Sequence, residues 1–387
     1  MSVLRVALVA GEHSGDQLGG KLMRALREAR GGEISFLGVG GEAMEAEGLE
    51  SPFPISDIAV MGILPVLARL PKVLARIRET AETIVAASPD ALVIIDSPDF
   101  THRVARRVRA AMQELPIVDY VSPSVWAWRP GRAKAMRAYV DCVLALLPFE
   151  PEAYRRLNGP RCVYVGHPLI ERLGTLRPNA DEARRRASPP PLIVVLPGSR
   201  RSEVNRLMAD FGGALEALRR SVGQFAVVLP TLPHVEAEVR ALAARWREPP
   251  KIVIGEDAKY AAFRAARAGL AASGTVTLEL ALAGVPMVGA YKVSVVEEQL
   301  KYLIKVPSIL LPNLILGERA IPEFLQRDCT ATTLAVALAD IVRDGPAREA
   351  QIEALSRLDG LMRLPDGRPP SAHAAAAVLE TIERANA

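Results

Sequence analysis

The chain reads as an α/β protein made of two doubly wound domains with parallel sheets. Three observations predict this: the length, a regular alternation of short apolar runs with helical stretches, and a proline-rich break near the middle. At 387 residues the chain exceeds one ordinary core and suits two domains of roughly 170 to 200 residues each. Half of its residues are hydrophobic and only 5% aromatic, a balance of Ala/Leu/Val-rich α/β proteins and not of disordered chains.

The elements follow in order. LRVALVA, the turn GEHSGD and the periodic stretch QLGGKLMRALRE read as strand, turn and helix. ISFLGV, ALVIID, PIVDYV, CVLALL and CVYVG continue the pattern through a first domain of residues 1–173. The alternation predicts a parallel sheet with helices on both faces. Residues 174–191, GTLRPNADEARRRASPPP, join a charged segment to three prolines and read as a linker with a short helix. LIVVL, FAVVL, KIVIG, AGLAA and VPMVGA repeat the theme in a second domain, residues 192–370. The Ala-rich tail, residues 371–387, is helical by propensity.

One stretch breaks the routine. In AVMGILPVLARLPKVLARIRE the residues Ile63, Leu67, Leu70, Leu74 and Ile77 fall on one helical stripe. Arg69, Lys72 and Arg76 gather opposite, without a nearby acid in sequence. This is the pattern of a basic amphipathic segment lying on an anionic membrane surface; a helix packed on the sheet with a solvated basic face is the alternative. Pro71 predicts two short helices instead of one.

A net charge of +4 with a pI near 9.0 allows anionic ligands, and no basic run interleaved with aromatics points to nucleic acid. Cys142, Cys162 and Cys329 are odd in number and widely spaced, which argues against a disulfide framework or a zinc site. VALVA is too short for a signal-peptide core and no window reaches the ~18 apolar residues of a spanning helix. The reading is cytoplasmic.

Three strand-to-helix turns carry the chemistry. After ALVIID the carboxylates of Asp96 and Asp99 stand at a sheet edge, where Asp96 can act as a general base and Asp99 suits a helix cap. In LIVVLPGSRRSEV, Arg200 and Arg201 at a helix start call for an anion, held with the Ser199 hydroxyl and backbone N–H groups. In AGLAASGTVTLELALAG, Ser273, Gly274 and Thr275 open a helix N-terminus suited to a diphosphate, and Glu279 one turn on can accept from a ribose diol. GVGGEA at 38–43, with Asp57 further on, also matches a dinucleotide fingerprint, so a nicotinamide-dependent oxidoreductase stays open as an alternative.

AGEHSGD, AVMGI, DSPDF, YVSPSVWAWRPGR, LPFEPEAY, VGHPL, LPGSRRSEV, ASGTVTLELA and LPNLILG occur in an order that resembles the lipid-A-disaccharide synthases along nearly the whole chain. The resemblance implies a GT-B fold, two Rossmann-like domains facing a central cleft, in an enzyme attached peripherally to the cytoplasmic face of the inner membrane. It implies transfer of 2,3-diacylglucosamine from UDP-2,3-diacylglucosamine to 2,3-diacylglucosamine 1-phosphate, giving a β-1,6-linked disaccharide and UDP. No metal or organic cofactor is implied. Carried onto this sequence, Asp96 becomes the catalytic base, and Arg200 with Ser273, Gly274 and Thr275 holds the diphosphate. Glu279 and Asn313 contact the uridine part. In the first turn Ser14 and Gly15 approach an anion and Asp16 orients a hydroxyl, or Asp16 caps the first helix; Glu12 and His13 receive no role. A related UDP-sugar enzyme, a 2-epimerase or a lipid-linked N-acetylglucosaminyltransferase, shares the fold and is the nearer alternative. Homo-oligomerisation is left open.

Overall fold

The computed structural model describes residues 3–58, 63–293 and 306–387, the side chains of residues 63–69 excepted. The chain divides into two units: residues 1–168 with 364–387, and residues 169–363.

The first unit holds a six-stranded parallel sheet. Its strands are β1 (Leu4–Ala10), β2 (Ile34–Val39), β3 (Ala91–Ile95), β4 (Ile117–Tyr120), β5 (Cys142–Ala145) and β6 (Arg161–Tyr164), in the order β2-β1-β3-β4-β5-β6. Side chains alternate across each strand, and both faces are buried. Val6, Leu8, Val93 and Ile95 pack on one side with Leu22, Met23 and Leu26 of helix His13–Arg30. Ala7, Val9, Leu92 and Ile94 pack on the other with Ile77, Ile84, Val104 and Val108. The C-terminal helix Pro370–Asn386 belongs to the first of these faces, through Ala374, Ala375, Val378 and Ile382. The expected tail is therefore an integral layer of the first unit.

Helix Ile63–Ala87 is continuous, with Pro71 inside it, which corrects the expected pair of short helices. Proline costs one N–H and crowds the preceding turn, but the helix is held firmly beyond it. Ile77, Ala81 and Ile84 are core residues, and Asp57 accepts from Lys72 at 2.6 Å and from Arg76 at 2.7 Å. That carboxylate also corrects the reading of an acid-free basic face; its lysine and arginine partners hold it below the usual carboxylate range.

The second unit has strands β7 (Leu192–Leu196), β8 (Ala226–Thr231), β9 (Lys251–Ile254), β10 (Ala268–Ala272), β11 (Met287–Tyr291) and β12 (Glu323–Leu325), ordered β12-β11-β10-β7-β8-β9. The stretch 174–191, expected as a linker, lies within this unit and carries helices Leu173–Leu176 and Ala180–Ala187. Arg186 explains why. Its guanidinium donates to the carbonyls of Phe263, Arg264, Ala283 and Gly284, closing the ends of helices Glu256–Ala265 and Thr275–Leu282, whose last carbonyls lack intrahelical partners. The same two helices flank the candidate site.

Candidate active site

In each sheet the strand order reverses once, between β1 and β3 in the first and between β7 and β10 in the second. Crevices at the carboxyl ends of such strands are where open α/β sheets take ligands.

Around the second reversal lies a cavity of about 510 Å³, lined by Ser199, Arg200, Glu203, Thr231, Lys259, Ser273, Gly274, Thr275, Val276 and Glu279 among others. Helix Thr275–Leu282 begins here with no side-chain cap; the Thr277 N–H donates to the Gly274 carbonyl at 3.1 Å, and the N–H groups of Thr275 and Val276 lie ahead of the first helical acceptor. The Ser273 hydroxyl donates to the Ile309 carbonyl at 2.8 Å, which fixes the turn. Across the cavity helix Arg201–Val222 starts differently. Glu203 is buried; one of its oxygens accepts from the N–H groups of Ser199 at 3.0 Å and Arg200 at 3.2 Å, and the other from the Arg200 guanidinium at 3.1 Å. The expected phosphate donors of the LPGSR turn are thus already occupied by an internal carboxylate. What remains for an anion is the rest of the Arg200 fork, the Ser199 hydroxyl and the open start of the opposite helix.

Glu279 is neither solvated nor alone. Its carboxylate accepts from Lys259 Nζ at 2.8 and 3.0 Å and from Tyr260 Oη at 3.3 Å. Tyr260 in turn accepts from Arg172 at 3.1 Å, and burial, with the Glu279 charge adding to it, pushes its phenol up to about 12. The phenol stays a donor, and the carboxylate stays oriented with lone pairs to spare for a diol. Thr231 ends β8 on the cavity wall with a buried hydroxyl that has no partner among the described residues.

Two expected members lie elsewhere. Arg201 is 77% exposed at its side chain and reaches only Glu238, at 3.9 Å, because the helical turn carries it away from the cavity that Arg200 lines. Asn313 is buried, and both ends of its amide are taken by the backbone of Ile321 at 2.9 Å. It ties helix Leu311–Leu316 to the segment that leads into β12, and, buried there, it does not reach the cavity.

At the first reversal the turns are pressed together. A Cβ on Gly11 would lie 2.2 Å from Ser97 Cβ, and one on Gly15 would lie 3.2 Å from the Ile95 carbonyl oxygen. Gly15 therefore serves the close packing of helix on strand. Asp96 and Ser97 both adopt left-handed backbone angles, φ 52° and 46°, an uncommon choice for residues with side chains. The Asp96 carboxylate accepts from the Ser97 N–H at 2.7 Å and from the Ser14 hydroxyl at 3.4 Å. Thr101 anchors the strained turn by donating to the Asp96 carbonyl at 2.7 Å. Asp99 makes no side-chain cap; Ser97 holds the N-cap position.

Asp16 departs most from its expected role. It is 1% exposed, and its carboxylate accepts from the backbone N–H groups of Gly41 at 2.8 Å, Ala43 at 3.0 Å and Met44 at 3.0 Å. It can neither orient a substrate hydroxyl nor cap its own helix. The same bonds dispose of the dinucleotide fingerprint. The N–H groups that a pyrophosphate would need after GVGG are filled, and the helix there has only four residues.

The lipid-A-disaccharide synthetase family profile matches residues 6–363. The lipid-A-disaccharide synthase of Nitrobacter hamburgensis is 58% identical over 379 residues, covering 98% of this chain and 96% of that protein. The chain belongs to the lipid-A-disaccharide synthase family. Its fold is the GT-B type seen in solved glycosyltransferases and epimerases. MurG of Acinetobacter baumannii aligns with a TM-score of 0.58 at 15% identity, covering 97% of this chain and 99% of that one. A UDP-GlcNAc 2-epimerase of Methanocaldococcus jannaschii, in complex with UDP-GlcNAc and UDP, gives 0.59 at 10% identity, covering 97% and 99%. The synthases of this family are hexosyltransferases.

Sequence reasoning missed Glu203, Thr231, Lys259, Tyr260 and Arg172. Glu203 had a signal, since it stands three residues after Arg200 at capping-box spacing. The others reach Glu279 or the cavity only through the tertiary fold.

Proposed function

We propose that the chain is an inverting glycosyltransferase that moves 2,3-diacylglucosamine from UDP-2,3-diacylglucosamine to O6 of 2,3-diacylglucosamine 1-phosphate. The observation that carries this reading is the cavity at the second reversal. It joins an arginine fork, an open helix N-terminus and an oriented carboxylate, the three groups that a diphosphate and a ribose need. Asp96, held at a strained strand end with its second oxygen toward Ser14, takes the proton of the 6-hydroxyl as O6 attacks the anomeric carbon. The bond from that carbon to the diphosphate oxygen breaks on the opposite face, so the linkage inverts to β. Arg200 and the first N–H groups of helix Thr275–Leu282 receive the charge that builds on departing UDP.

Incubation with both glycolipids, followed by mass spectrometry, is expected to yield the disaccharide 1-phosphate and UDP in equal amounts. UDP without disaccharide, or interconversion of UDP-GlcNAc epimers, would replace this reading by a hydrolase or an epimerase.

Substrates with acyl chains place the enzyme at a membrane surface. Among the described residues no helix is long and apolar enough to cross one, and Leu70 and Leu74 are 37% and 43% exposed on helix Ile63–Ala87. The side chains of Ile63, Leu67 and Arg69 lie outside the described residues. Peripheral attachment through this face predicts that Leu70→Ser with Leu74→Ser weakens sedimentation with anionic vesicles, each apolar side chain being worth about 1.5 to 3 kcal/mol when withdrawn from water. Unchanged sedimentation by the folded double variant would remove the face from the membrane.

A further inference from the structure

The loop after β4 carries two tryptophans, two residues apart, with opposite fates. Trp126 turns inward: its Nε1 donates to the buried carboxylate of Glu150 at 3.0 Å, and its ring meets Phe149 edge-on at 5.0 Å. The other Glu150 oxygen accepts from the Leu147 N–H at 2.9 Å, so the loop is pinned to the segment after β5. Trp128 turns outward and is 44% exposed. The Arg129 guanidinium lies over its indole, 4.2 Å from the ring centroid, on a backbone held at φ 53°. Arg132, half-buried, donates one N–H to the Pro98 carbonyl at 3.2 Å. Pro98 follows Asp96 and Ser97 in the turn after β3, so Arg132 stands at the same sheet edge as the Asp96 carboxylate.

Neither Arg129 nor Arg132 pairs with a carboxylate among the described residues. Most of the other described arginines do. A guanidinium stacked on an indole is already oriented and partly desolvated, while its N–H edge stays open for a planar or tetrahedral anion. The pinned loop removes much of the entropy that ordering it would otherwise cost.

We propose that Arg129, stacked on Trp128, and Arg132 form the seat for the phosphate monoester of the acceptor glycolipid. The proposal rests on the acceptor reading above and names the group that the first unit recognises. The phosphate takes the Arg129 fork and the uncommitted N–H groups of Arg132, and the free flank of the Trp128 indole walls the sugar.

The test uses the full chain with diacylglucosamine 1-phosphate in mixed micelles, and the same lipid without its phosphate. Arg129→Ala is expected to raise the acceptor KM about tenfold or more, as loss of a charge-assisted fork does, and to leave the donor KM alone. Arg129→Lys recovers only part, because a point charge lacks the fork. Quenching of tryptophan fluorescence by the phosphorylated lipid, lost in Trp128→Phe and no longer phosphate-selective in Arg129→Ala, supports the seat without turnover. It therefore separates failure of this proposal from failure of the transferase reading, which shows as wild-type protein that makes no disaccharide. An unchanged acceptor KM in folded Arg129→Ala, or equal loss with the phosphate-free lipid, overturns the proposal. So does weaker binding to anionic vesicles with acceptor KM intact, which reassigns the pair to lipid headgroups.

Discussion

At the carboxyl edge of the first sheet the turns after β1 and β3 press on each other, whereas those after β7 and β10 stand apart around a cavity of about 510 Å³. Both edges bring helix N-termini toward a reversal of strand order, and topology alone would give each an anion site. Internal carboxylates decide otherwise. Asp16 consumes the N–H groups after β2 and Glu203 those of the LPGSR turn, while the start of helix Thr275–Leu282 is left open. The first edge thus carries the Asp96 carboxylate on a strained turn, and the second keeps an open helix start beside Arg200.

The sharpest way to break this contrast is Asp96→Asn, which keeps shape and removes basicity. It is expected to lower kcat by about 10² to 10⁴, the usual share of a positioned base, with UDP affinity unchanged in calorimetry. Normal turnover by this variant would move the base elsewhere. Arg200→Ala tests the second edge and should lose about 10²-fold in turnover. Arg200→Lys should restore little, and wild-type UDP affinity together with wild-type turnover in Arg200→Ala would take the arginine out of the charge-stabilising role.

Asp16→Ala asks whether the filled turn is structural. Three N–H groups lose their acceptor, at a cost of about 3 kcal/mol or more in unfolding free energy, read as a lower urea midpoint, while UDP binding to the folded protein stays intact. Loss of UDP binding without loss of stability would restore a ligand role. The last effect is a pH slope, which leaves activity at neutral pH untouched. Burial, partly offset by the N–H donors of Leu147 and Trp126, raises the Glu150 carboxyl to about 7, against about 4.3 in an unfolded chain. Between those values the native state binds the extra proton, so this residue makes stability fall as pH rises, and the slope flattens above about 7. Glu150→Gln should lose that slope in urea unfolding across the same window; a variant with the wild-type slope would show that Glu150 does not titrate there.

The eleven strands expected from apolar runs all form; the inner ones are buried on both faces and so apolar along their length, while β2, β6 and β9 at or near the edges are only partly buried yet still apolar enough to be read. β12 escaped notice: it has three residues, sits at an edge and carries Glu323. Asp96 was legible because it ends such a strand. Asp16 was not, since its role depends on N–H groups 25 to 28 residues away. Asp57 in the same way neutralises Lys72 and Arg76 from 15 and 19 residues off. Arg186 sits in a stretch whose composition reads as a linker, and nothing in composition reveals four carbonyls waiting in the folded unit.

The helix Pro370–Asn386 has a consequence for biosynthesis. It covers one face of the first unit's sheet, yet the whole other unit, residues 169–363, precedes it on the ribosome. A growing chain therefore has every residue of its second unit before it has every residue of its first. Until this helix emerges, Leu22, Met23 and Leu26 have no partner from it, and that part of their apolar surface is open to chaperones or to other nascent chains. The first unit completes its packing only after the second has been made.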